Sequence, residues 1–562
     1  MIKTGVKSLI REKTNKEPGS TVDKGSSLYV VALTLVATLG GLLFGYDTAV
    51  VNGAEKPLVD LFIKPVLDPS NFGYAYSLVH QYRLLVAIVF YIVVIIISAQ
   101  IIRLLGIKKG ILSSIILLLL LTLYLIVFLK KEVPSRENFK EIKLLADSVK
   151  GIVIASALIG CIIGAAVAGF VSKSFGRKRG LIISAFFLLI SAIGAWQPEK
   201  LNFFGTLDVY SFVIYRIIGG VGIGLASLLS PMYIAEIAPS DIRGKLVSWN
   251  QFAIISGMLI IYFVNYQVAR SGNEQWLISE GWRWMFFSGV IPSVIFLVLL
   301  FFIPETPRYL MMKGRDNEAL GIITKISGKK NSIKIQNEIR ETLIEKNAPW
   351  LSYGFFVILL GIILSVFQQF VGINVVMYYA GNIFRNMGAD TNVSLLQTII
   401  VGAVNMLFTI LAIFTVDRIG RRPLMVIGAV VMGISMLSLG FSFFSNHTGI
   451  VALIFMLTYI AGFSMSWGPV TWVLLSEIFP NSIRGAMSIA VSTIWIANLI
   501  VSWTFPILND NILLTSIFHH GFAYWIYGLM GILAAWFVYR FVPETKGKSL
   551  EEIEKLWKKE TE

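Results

Sequence analysis

Cysteine is almost absent from this chain of 562 residues, and the common motifs of catalytic and metal-binding sites are missing. The single cysteine, Cys161, lies inside an apolar run, so no disulfide can form within the chain and a metal or redox role is disfavoured. The sequence has no phosphate-binding loop of the GxxxxGKS type, no HExxH and no cluster of cysteine and histidine. These absences argue against ATP-driven transport and against catalysis, and we expect no cofactor and no metal.

Charge is also scarce. Only 14% of the residues are charged, against roughly 25% in an ordinary soluble domain, whereas 56% are hydrophobic and the mean hydropathy is +0.75. The composition therefore predicts an integral membrane protein whose surroundings are a lipid bilayer. The net charge of +15 is also typical of nucleic-acid binding, but the lysines and arginines lie mostly between apolar runs, where the positive-inside bias places them. We therefore expect no nucleic-acid partner.

A helix needs about 20 apolar residues to cross the hydrocarbon core, and runs of that length recur along the chain. They predict an all-α membrane protein with fourteen transmembrane helices. The runs lie near residues 28–52, 84–105, 111–129, 150–172, 180–197, 209–231, 247–268, 284–303, 353–380, 394–416, 424–445, 449–473, 487–508 and 521–542.

The polar segments between these runs suggest the domain organisation. Residues 1–27 are rich in lysine and have no apolar core ahead of a cleavage site, which is typical of a cytoplasmic tail and not of a signal peptide. Residues 304–350 are polar and basic and predict a cytoplasmic helical linker between one bundle at 28–303 and another at 351–542. Residues 543–562 form a second predicted cytoplasmic tail, so both termini are expected on the cytoplasmic side.

Three motifs recur about 240 residues apart, which indicates an internal duplication. AEIAPSDIRG returns as SEIFPNSIRG, PETPR returns as PETKG, and FGRKR returns as DRIGRR. The duplication predicts two bundles of six helices that face each other across a central path. The runs 84–105 and 111–129 do not fit it, and we interpret them as an inserted transmembrane hairpin. A re-entrant or interfacial arrangement stays open, since the segment 130–150 would be external yet carries several lysines.

Two isolated charges lie within the apolar runs of the first half. Asp47, in GGLLFGYDTAVV, would cost roughly 2.5–3.5 kcal/mol at the centre of a membrane helix, so it must bind a partner or a proton. Arg216, in VIYRIIGGVGIG, is the natural partner. The two form either a static ion pair between helices or a switch in which protonation of Asp47 releases Arg216, and we favour the switch.

Amide side chains are the second polar feature of the apolar runs. Gln368, Gln369 and Asn374 flank Gly372 in SVFQQFVGINVVMYYAG, where a glycine can break the helix at a cavity. Amides offer donors and acceptors together, which suits a neutral polyhydroxylated ligand. Gln251 supplies a further amide and Trp472 a flat face for a sugar ring. The alternative is that the amides only join helices and that the tryptophan marks the membrane interface.

The repeated glutamate and arginine of the first motif lie seven residues apart at the ends of apolar runs. These pairs, Glu236 with Arg243 and Glu477 with Arg484, can lock the cytoplasmic ends of the two bundles. The alternative is ordinary helix-end charge in water, where an exposed pair contributes under about 1 kcal/mol. The recurrence in both halves favours a gate.

Long stretches of the chain resemble sugar porters of the major facilitator superfamily, and most closely their proton-coupled xylose members. The stretches are ATLGGLLFGYDTAV, VIYRIIGGVGIGLASLLSPMYIAEIAP, FQQFVGINVVMYY, SMSWGPVTWVLLSEIFPNSIRG and FVPETKGKSLEE. The resemblance implies the major facilitator fold and secondary active import of D-xylose or a related monosaccharide with a proton. It further implies a monomer in the bacterial inner membrane.

The resemblance also implies roles for particular residues. Asp47 would carry the proton, with Arg216 as its partner. The sugar site would comprise Phe44, Gln251, Gln368, Gln369, Asn374, Tyr378, Trp472 and Trp495. The cytoplasmic gate would comprise Glu236, Arg243, Asp417, Arg421, Glu477 and Arg484.

Three departures from the family pattern bear on these expectations. Ile494 stands where the xylose members carry a glutamine, which puts the preferred sugar in doubt. Lys173 and Ser174 replace the usual polar and arginine pair before FGRKR, so the gate of the first half is expected to be the weaker one. The inserted hairpin has no counterpart in the twelve-helix pattern. A proton symporter for glucose, galactose or arabinose, a facilitator without coupling and a membrane sugar sensor that does not transport remain as alternatives.

Overall fold

The structure is a computed structural model, and the part of the chain that it describes is helical without a β-strand. In this part, 14 helices are long and apolar enough to cross a membrane, which confirms the predicted number. The described residues are 26–131, 139–203, 205–239, 242–344, 349–479, 483, 486–547, 553 and 557.

The first bundle is built from six spans, of which the last is interrupted. Its helices are α1 Ser27–Leu58, α4 Phe139–Phe175, α5 Arg177–Trp196, α6 Asp208–Ile237, α7 Arg243–Arg270, and α8 Glu274–Trp276, α9 Trp282–Phe287 and α10 Val290–Phe302, which together make the sixth span. Helix α6 packs between α4 and α5, and α1 packs on α7. The α4–α6 contact depends on small residues, since a Cβ atom on Gly160 would lie only 1.9 Å from the Ile217 carbonyl oxygen.

The inserted hairpin consists of α2 Phe72–Leu105 and α3 Ile107–Lys130. Gly106 forms the turn with φ +81°, a conformation that favours glycine. Helix α2 begins at Phe72 and not near residue 84, because the helix continues outward through polar and aromatic residues that interrupt the apolar run. Helix α3 packs mainly on α2, and most of its apolar side chains are exposed, as expected for a helix that faces lipid.

Three further helices make the linker between the bundles: α11 Pro307–Met312, α12 Asp316–Ser327 and α13 Lys329–Ile344. The Ser26 N–H donates to the Lys325 carbonyl at 3.0 Å, so the start of α1 lies beside the linker. The Trp557 indole N–H donates to the Ile478 carbonyl at 3.0 Å, which places Trp557 at the same side of the molecule. We refer to this side as the terminal side and to the opposite one as the far side.

The second bundle also has six spans, and two of them are broken. Its helices are α14 Phe355–Phe370, α15 Ile373–Asn386, α16 Thr391–Ile419, α17 Arg421–Phe444, α18 Ile450–Met465, α19 Trp467–Ile478, α20 Met487–Asn509, the short α21 Ile512–Phe518 and α22 Phe522–Phe541. One break is at Gly372, whose φ is +92°, and the other is at Ser466. The break at Gly372 is the one that the sequence predicted between the amide residues.

The two bundles meet through three pairs of helices: α4 with α20, α7 with α16 and α1 with α15. Asn52 of α1 and Tyr262 of α7 both donate to the Met377 carbonyl of α15, each at 3.0 Å. Helix α2 of the hairpin also reaches the second bundle, since the Gln100 amide donates to the Ser492 hydroxyl of α20 at 2.7 Å. The central path of the predicted fold therefore lies between these helices.

Candidate functional site

Asp47 of α1 and Arg216 of α6 form a buried ion pair inside the first bundle. Nη1 of Arg216 lies 2.7 Å from Oδ1 of Asp47, and Nη2 donates to the Asp47 main-chain carbonyl at 2.9 Å. Only 1% of Arg216 is exposed to solvent. The structure thus brings together the two charges that the sequence analysis identified, and Arg216 is the direct partner of Asp47.

The second carboxylate oxygen of Asp47 has a different environment from the first. Oδ2 is buried and has no hydrogen-bond partner in the described part of the chain. A cavity of about 10 Å³ adjoins it, close to the size of one water molecule, and is lined by Tyr46, Phe286 and Ser293 among others. One oxygen is therefore paired with arginine, while the other has only this small cavity beside it.

The predicted amides of the second bundle form a hydrogen-bonded row around the break at Gly372. The Gln368 amide donates to the Trp467 carbonyl at 3.4 Å, and the Gln369 amide donates to the Gln368 side-chain oxygen at 3.5 Å. Asn374, at the start of α15, donates to the Gln369 side-chain oxygen. The first two bonds are long, so these groups can exchange them for bonds to a polar ligand.

Two predicted aromatic residues meet across the bundle boundary. The rings of Phe44 in α1 and Trp495 in α20 lie 5.4 Å apart. Trp495 is only 3% exposed, and its indole N–H has no partner in the described residues. A buried donor without an acceptor is costly, so this N–H is a candidate for ligand binding. Tyr378 is buried in α15.

The remaining predicted sugar contacts are less closely tied to this group. Gln251 in α7 and Trp472 in α19 are both half-buried. Among the described residues, no hydrogen bond joins either of them to the other predicted site residues, so their roles stay predictions. Ile494, the residue before Trp495, stands at the position of the expected glutamine. It is buried, and its side chain has no polar atom to offer a ligand.

The repeated glutamates lie at the terminal side and pair within their own bundles. Arg177 lies 2.7 Å from Glu236, and Arg421 lies 2.9 Å from Glu477. Each glutamate thus contacts the arginine of the repeated glycine-arginine motif, and among the described residues no ion pair joins Glu236 to Arg243. Arg243 is exposed at the start of α7. Arg484 and the side chain of Asp417 lie outside the described residues.

The glutamates of the repeated PET motifs belong to the same clusters, which the sequence reasoning missed. Glu305 accepts from the main-chain N–H groups of Arg177 at 3.0 Å and Lys178 at 3.1 Å, at the N-terminus of α5. Glu544 accepts from the N–H groups of Arg421 and Arg422, each at 3.1 Å, at the N-terminus of α17.

A carboxylate is stabilised there by free N–H groups and by the helix dipole. Burial nevertheless raises the pKa of Glu305 above its ordinary value, although the main-chain hydrogen bonds act in the opposite direction. The sequence did contain a signal for these clusters. All three motifs recur at the same offset of about 240 residues, as expected if the three motifs of each half contact one another.

The comparison with known families is decisive for the class of protein. The chain matches the family described as "Sugar (and other) transporter" over residues 33–557. It belongs to this family: it is a multi-pass sugar transporter of the major facilitator fold and not an enzyme. The predictions of the family and of the fold class are confirmed.

Individual relatives show which sugar transporters this chain is similar to. The chain is 48% identical to the "D-xylose-proton symporter" of Escherichia coli (strain K12), over 95% of this chain and 97% of the relative. It is 35% identical to the "Arabinose-proton symporter" of Bacillus subtilis (strain 168), over 97% and 98%, and 41% identical to the "Glucose facilitated diffusion protein" of Zymomonas mobilis, over 74% and 88%. The structure resembles the partially occluded inward-open conformation of the xylose transporter XylE from E. coli with a TM-score of 0.73 at 45% identity, covering 93% of this chain and all of that one.

Proposed function

We propose that this protein imports D-xylose, or a closely related monosaccharide, together with a proton. The observation that carries the proposal is the Asp47–Arg216 pair, with one carboxylate oxygen bound to arginine and the other free beside a water-sized cavity. The 48% identity to a D-xylose-proton symporter over 95% of the chain supports the substrate class.

The coupling follows from the electrostatics of this pair. A proton on Asp47 removes the negative charge that holds Arg216. Among the described residues, the guanidinium then keeps the main-chain carbonyl of Asp47 and the face of Phe286, whose ring centre lies 5.2 Å away. Helices α1 and α6 are thereby released from each other. Phe44 lies in the same helix as Asp47 and packs on Trp495 of the opposite bundle, so a movement of α1 acts on the sugar site as well.

The sugar would bind between the bundles at Gln251, Gln368, Gln369, Asn374, Tyr378, Trp472 and Trp495, with Phe44 at the edge of Trp495. Amide groups donate to and accept from hydroxyl groups, while the aromatic faces cover the apolar side of the ring. Ile494 leaves this site without the expected glutamine, so we expect its sugar preference to differ from that of a site with one more hydrogen bond.

The terminal side would face the cytoplasm of a bacterial cell, with the protein a monomer in the inner membrane. The basic linker is consistent with this orientation under the positive-inside rule. The likeness to an inward-open relative agrees as well, since the far side is where the bundles are held together here. The cytoplasmic gate would then consist of the residues that the resemblance implies, Glu236, Arg243, Asp417, Arg421, Glu477 and Arg484.

The test is D-xylose uptake into proteoliposomes with and without an inward proton gradient, for the parent protein and Asp47→Asn. We expect concentrative uptake that needs the gradient in the parent. The variant should lose accumulation but keep sugar exchange across the membrane, because its site is intact while its proton acceptor is gone. Equal, gradient-independent equilibration by both proteins would contradict the proposal and establish a facilitator.

Two alternative transport functions, symport of another sugar and uncoupled diffusion, are each represented among the similar proteins. The 35% identity to an arabinose-proton symporter keeps a related sugar possible as the substrate, and the 41% identity to a glucose facilitator does the same for uncoupled diffusion. Net uptake of labelled glucose and arabinose in the same proteoliposomes separates these alternatives. Sugar binding without uptake of any sugar would indicate a sensor.

A further inference from the structure

Four charged residues form a continuous chain across the boundary between the bundles on the far side. Nζ of Lys150 in α4 lies 2.9 Å from Oε1 of Glu55 in α1 and 3.0 Å from Oδ2 of Asp510, just after α20. The other oxygen of Glu55 is bonded to Arg385 of α15. The chain runs Asp510, Lys150, Glu55, Arg385, with alternating signs and no net charge, and we call it the far-side network.

The network is buried, so its charges depend on one another. Glu55 is 1% exposed and Lys150 is 6% exposed. Ionisable groups at such positions in a membrane protein are costly and are retained where they have a function. Removing one partner of a buried pair leaves an uncompensated charge, which is strongly unfavourable.

The surrounding packing shows that the bundles are closed at this point. A Cβ atom on Gly151 would lie 2.1 Å from the Trp503 carbonyl oxygen, so α4 and α20 are in direct backbone contact next to Lys150. The Trp503 indole N–H donates to the Ser148 carbonyl at 3.1 Å, again from one bundle to the other. No path for a sugar can remain between helices at this distance.

The position of the bonds indicates which of them must break for the far side to open. Separating the bundles breaks Lys150–Asp510 and Glu55–Arg385, whereas Glu55–Lys150 stays within the first bundle. Each bundle then retains one positive and one negative charge of the network. The exposed surfaces therefore carry no net charge from it, and water can solvate both as the path opens.

We propose that the far-side network is the gate that closes the sugar path on the side opposite the termini and sets how often that side opens. The proposal rests on the proposed transport by alternating access. A purely structural ion pair needs no such position: Arg283 and Glu199 lie 2.8 Å apart on the same side of the molecule but within one bundle.

The test measures opening directly. Spin labels are placed on cysteines at Ser271→Cys, at the far end of α7, and His447→Cys, after the far end of α17, with Cys161→Ser as the background; both labelled positions are exposed. The distance between the labels in the reconstituted protein reports whether the far side is open. Asp510→Asn removes one cross-boundary bridge with little change of shape and leaves Lys150 paired with Glu55, and Arg385→Gln removes the other.

We expect each variant to raise the ratio of far-side-open to far-side-closed protein by about tenfold or more, because only the closed state loses a buried bridge. The control Glu199→Gln breaks an ion pair inside one bundle and should leave the distance distribution unchanged. If Asp510→Asn and Arg385→Gln both keep the distances of the parent, the network is not a gate. The measurement needs neither xylose nor a proton gradient, so its failure is distinct from failure of the proposed substrate or coupling, which the uptake assay reports.

Discussion

Trp495 shows at the scale of one residue how an unmatched polar group points to a ligand. Its ring packs against Phe44 and is buried, yet its N–H has no acceptor among the described residues. In a protein interior such a group normally finds a partner, and here a sugar hydroxyl would provide one. Such a hydrogen bond would link the substrate to α20 of the second bundle.

Replacing Trp495 by phenylalanine separates this hydrogen bond from the aromatic contact. We expect Trp495→Phe to raise the KM for D-xylose about fivefold with little change in kcat, since one neutral hydrogen bond contributes about 1 kcal/mol. Trp536→Phe is the matched control, because Trp536 is 60% exposed on the outer surface of α22. Uptake kinetics in proteoliposomes measure both, and an unchanged KM in Trp495→Phe would show that the sugar does not bind this N–H.

Residues also differ in how much of their role could be read from the sequence. The pairing of Asp47 with Arg216 was predictable because both are isolated in apolar runs and few other partners exist. Glu55 gave no such signal: it is followed by Lys56 at the end of a run and looks like an ordinary helix-end charge. Its partners Lys150 and Arg385 come from helices far away in the chain, which only the fold brings together.

At the scale of helices, the PET glutamates act as caps that also fix one segment to another. Glu544 binds the first N–H groups of α17 through its carboxylate, while the neighbouring Thr545 hydroxyl donates to Glu477 at 2.6 Å. The segment after α22 is thereby fixed to the ends of α17 and α19. Gly420 has φ +103° at this point, and its Cβ would lie 2.8 Å from the glutamate, so only glycine allows this approach.

We therefore expect Glu544→Gln to destabilise the protein by about 1 kcal/mol, because the charge that interacts with the helix N-terminus is lost. The melting temperature of the detergent-solubilised protein should fall. Glu318→Gln is the control, since Glu318 pairs with Arg315 on the exposed surface of the linker and should contribute little. Equal melting temperatures for Glu544→Gln and the parent would contradict a stabilising cap.

Helix boundaries illustrate what the apolar pattern can and cannot predict. The number of spans follows from length and hydropathy, and the break at Gly372 follows from a glycine between amides. The start of α2 was missed, because a membrane helix continues into polar surroundings as long as its hydrogen bonds and side-chain contacts permit. For example, the Tyr82 hydroxyl is hydrogen-bonded to Ser148, so this part of α2 is held by packing on α4 and not by lipid.

At the scale of the whole molecule, the inserted hairpin is the feature that sets this chain apart from a simple duplication. Helix α2 lies against the first bundle through α4, and the Gln100–Ser492 bond and the 6.4 Å ring contact of Phe90 with Trp503 also tie it to α20. It thus covers the boundary between the bundles from the lipid side. Two added crossings leave the orientation of every later helix unchanged, and so would a re-entrant loop. The two arrangements differ in the side of the membrane on which the hairpin turn lies.

Cysteine labelling determines this position. In the Cys161→Ser background, Lys109→Cys, in the first turn of α3 next to Gly106, should react with a membrane-impermeant maleimide only from the terminal side, as Lys313→Cys in the linker should. The reason is that two full crossings return the chain to the far side. His447→Cys should react only from the opposite side. Reaction of Lys109→Cys from the far side, or protection from both sides, would mean that α2 and α3 do not span the bilayer. Labelling as expected would instead establish two full crossings, with α2 spanning the bilayer in contact with α4 of the first bundle and α20 of the second.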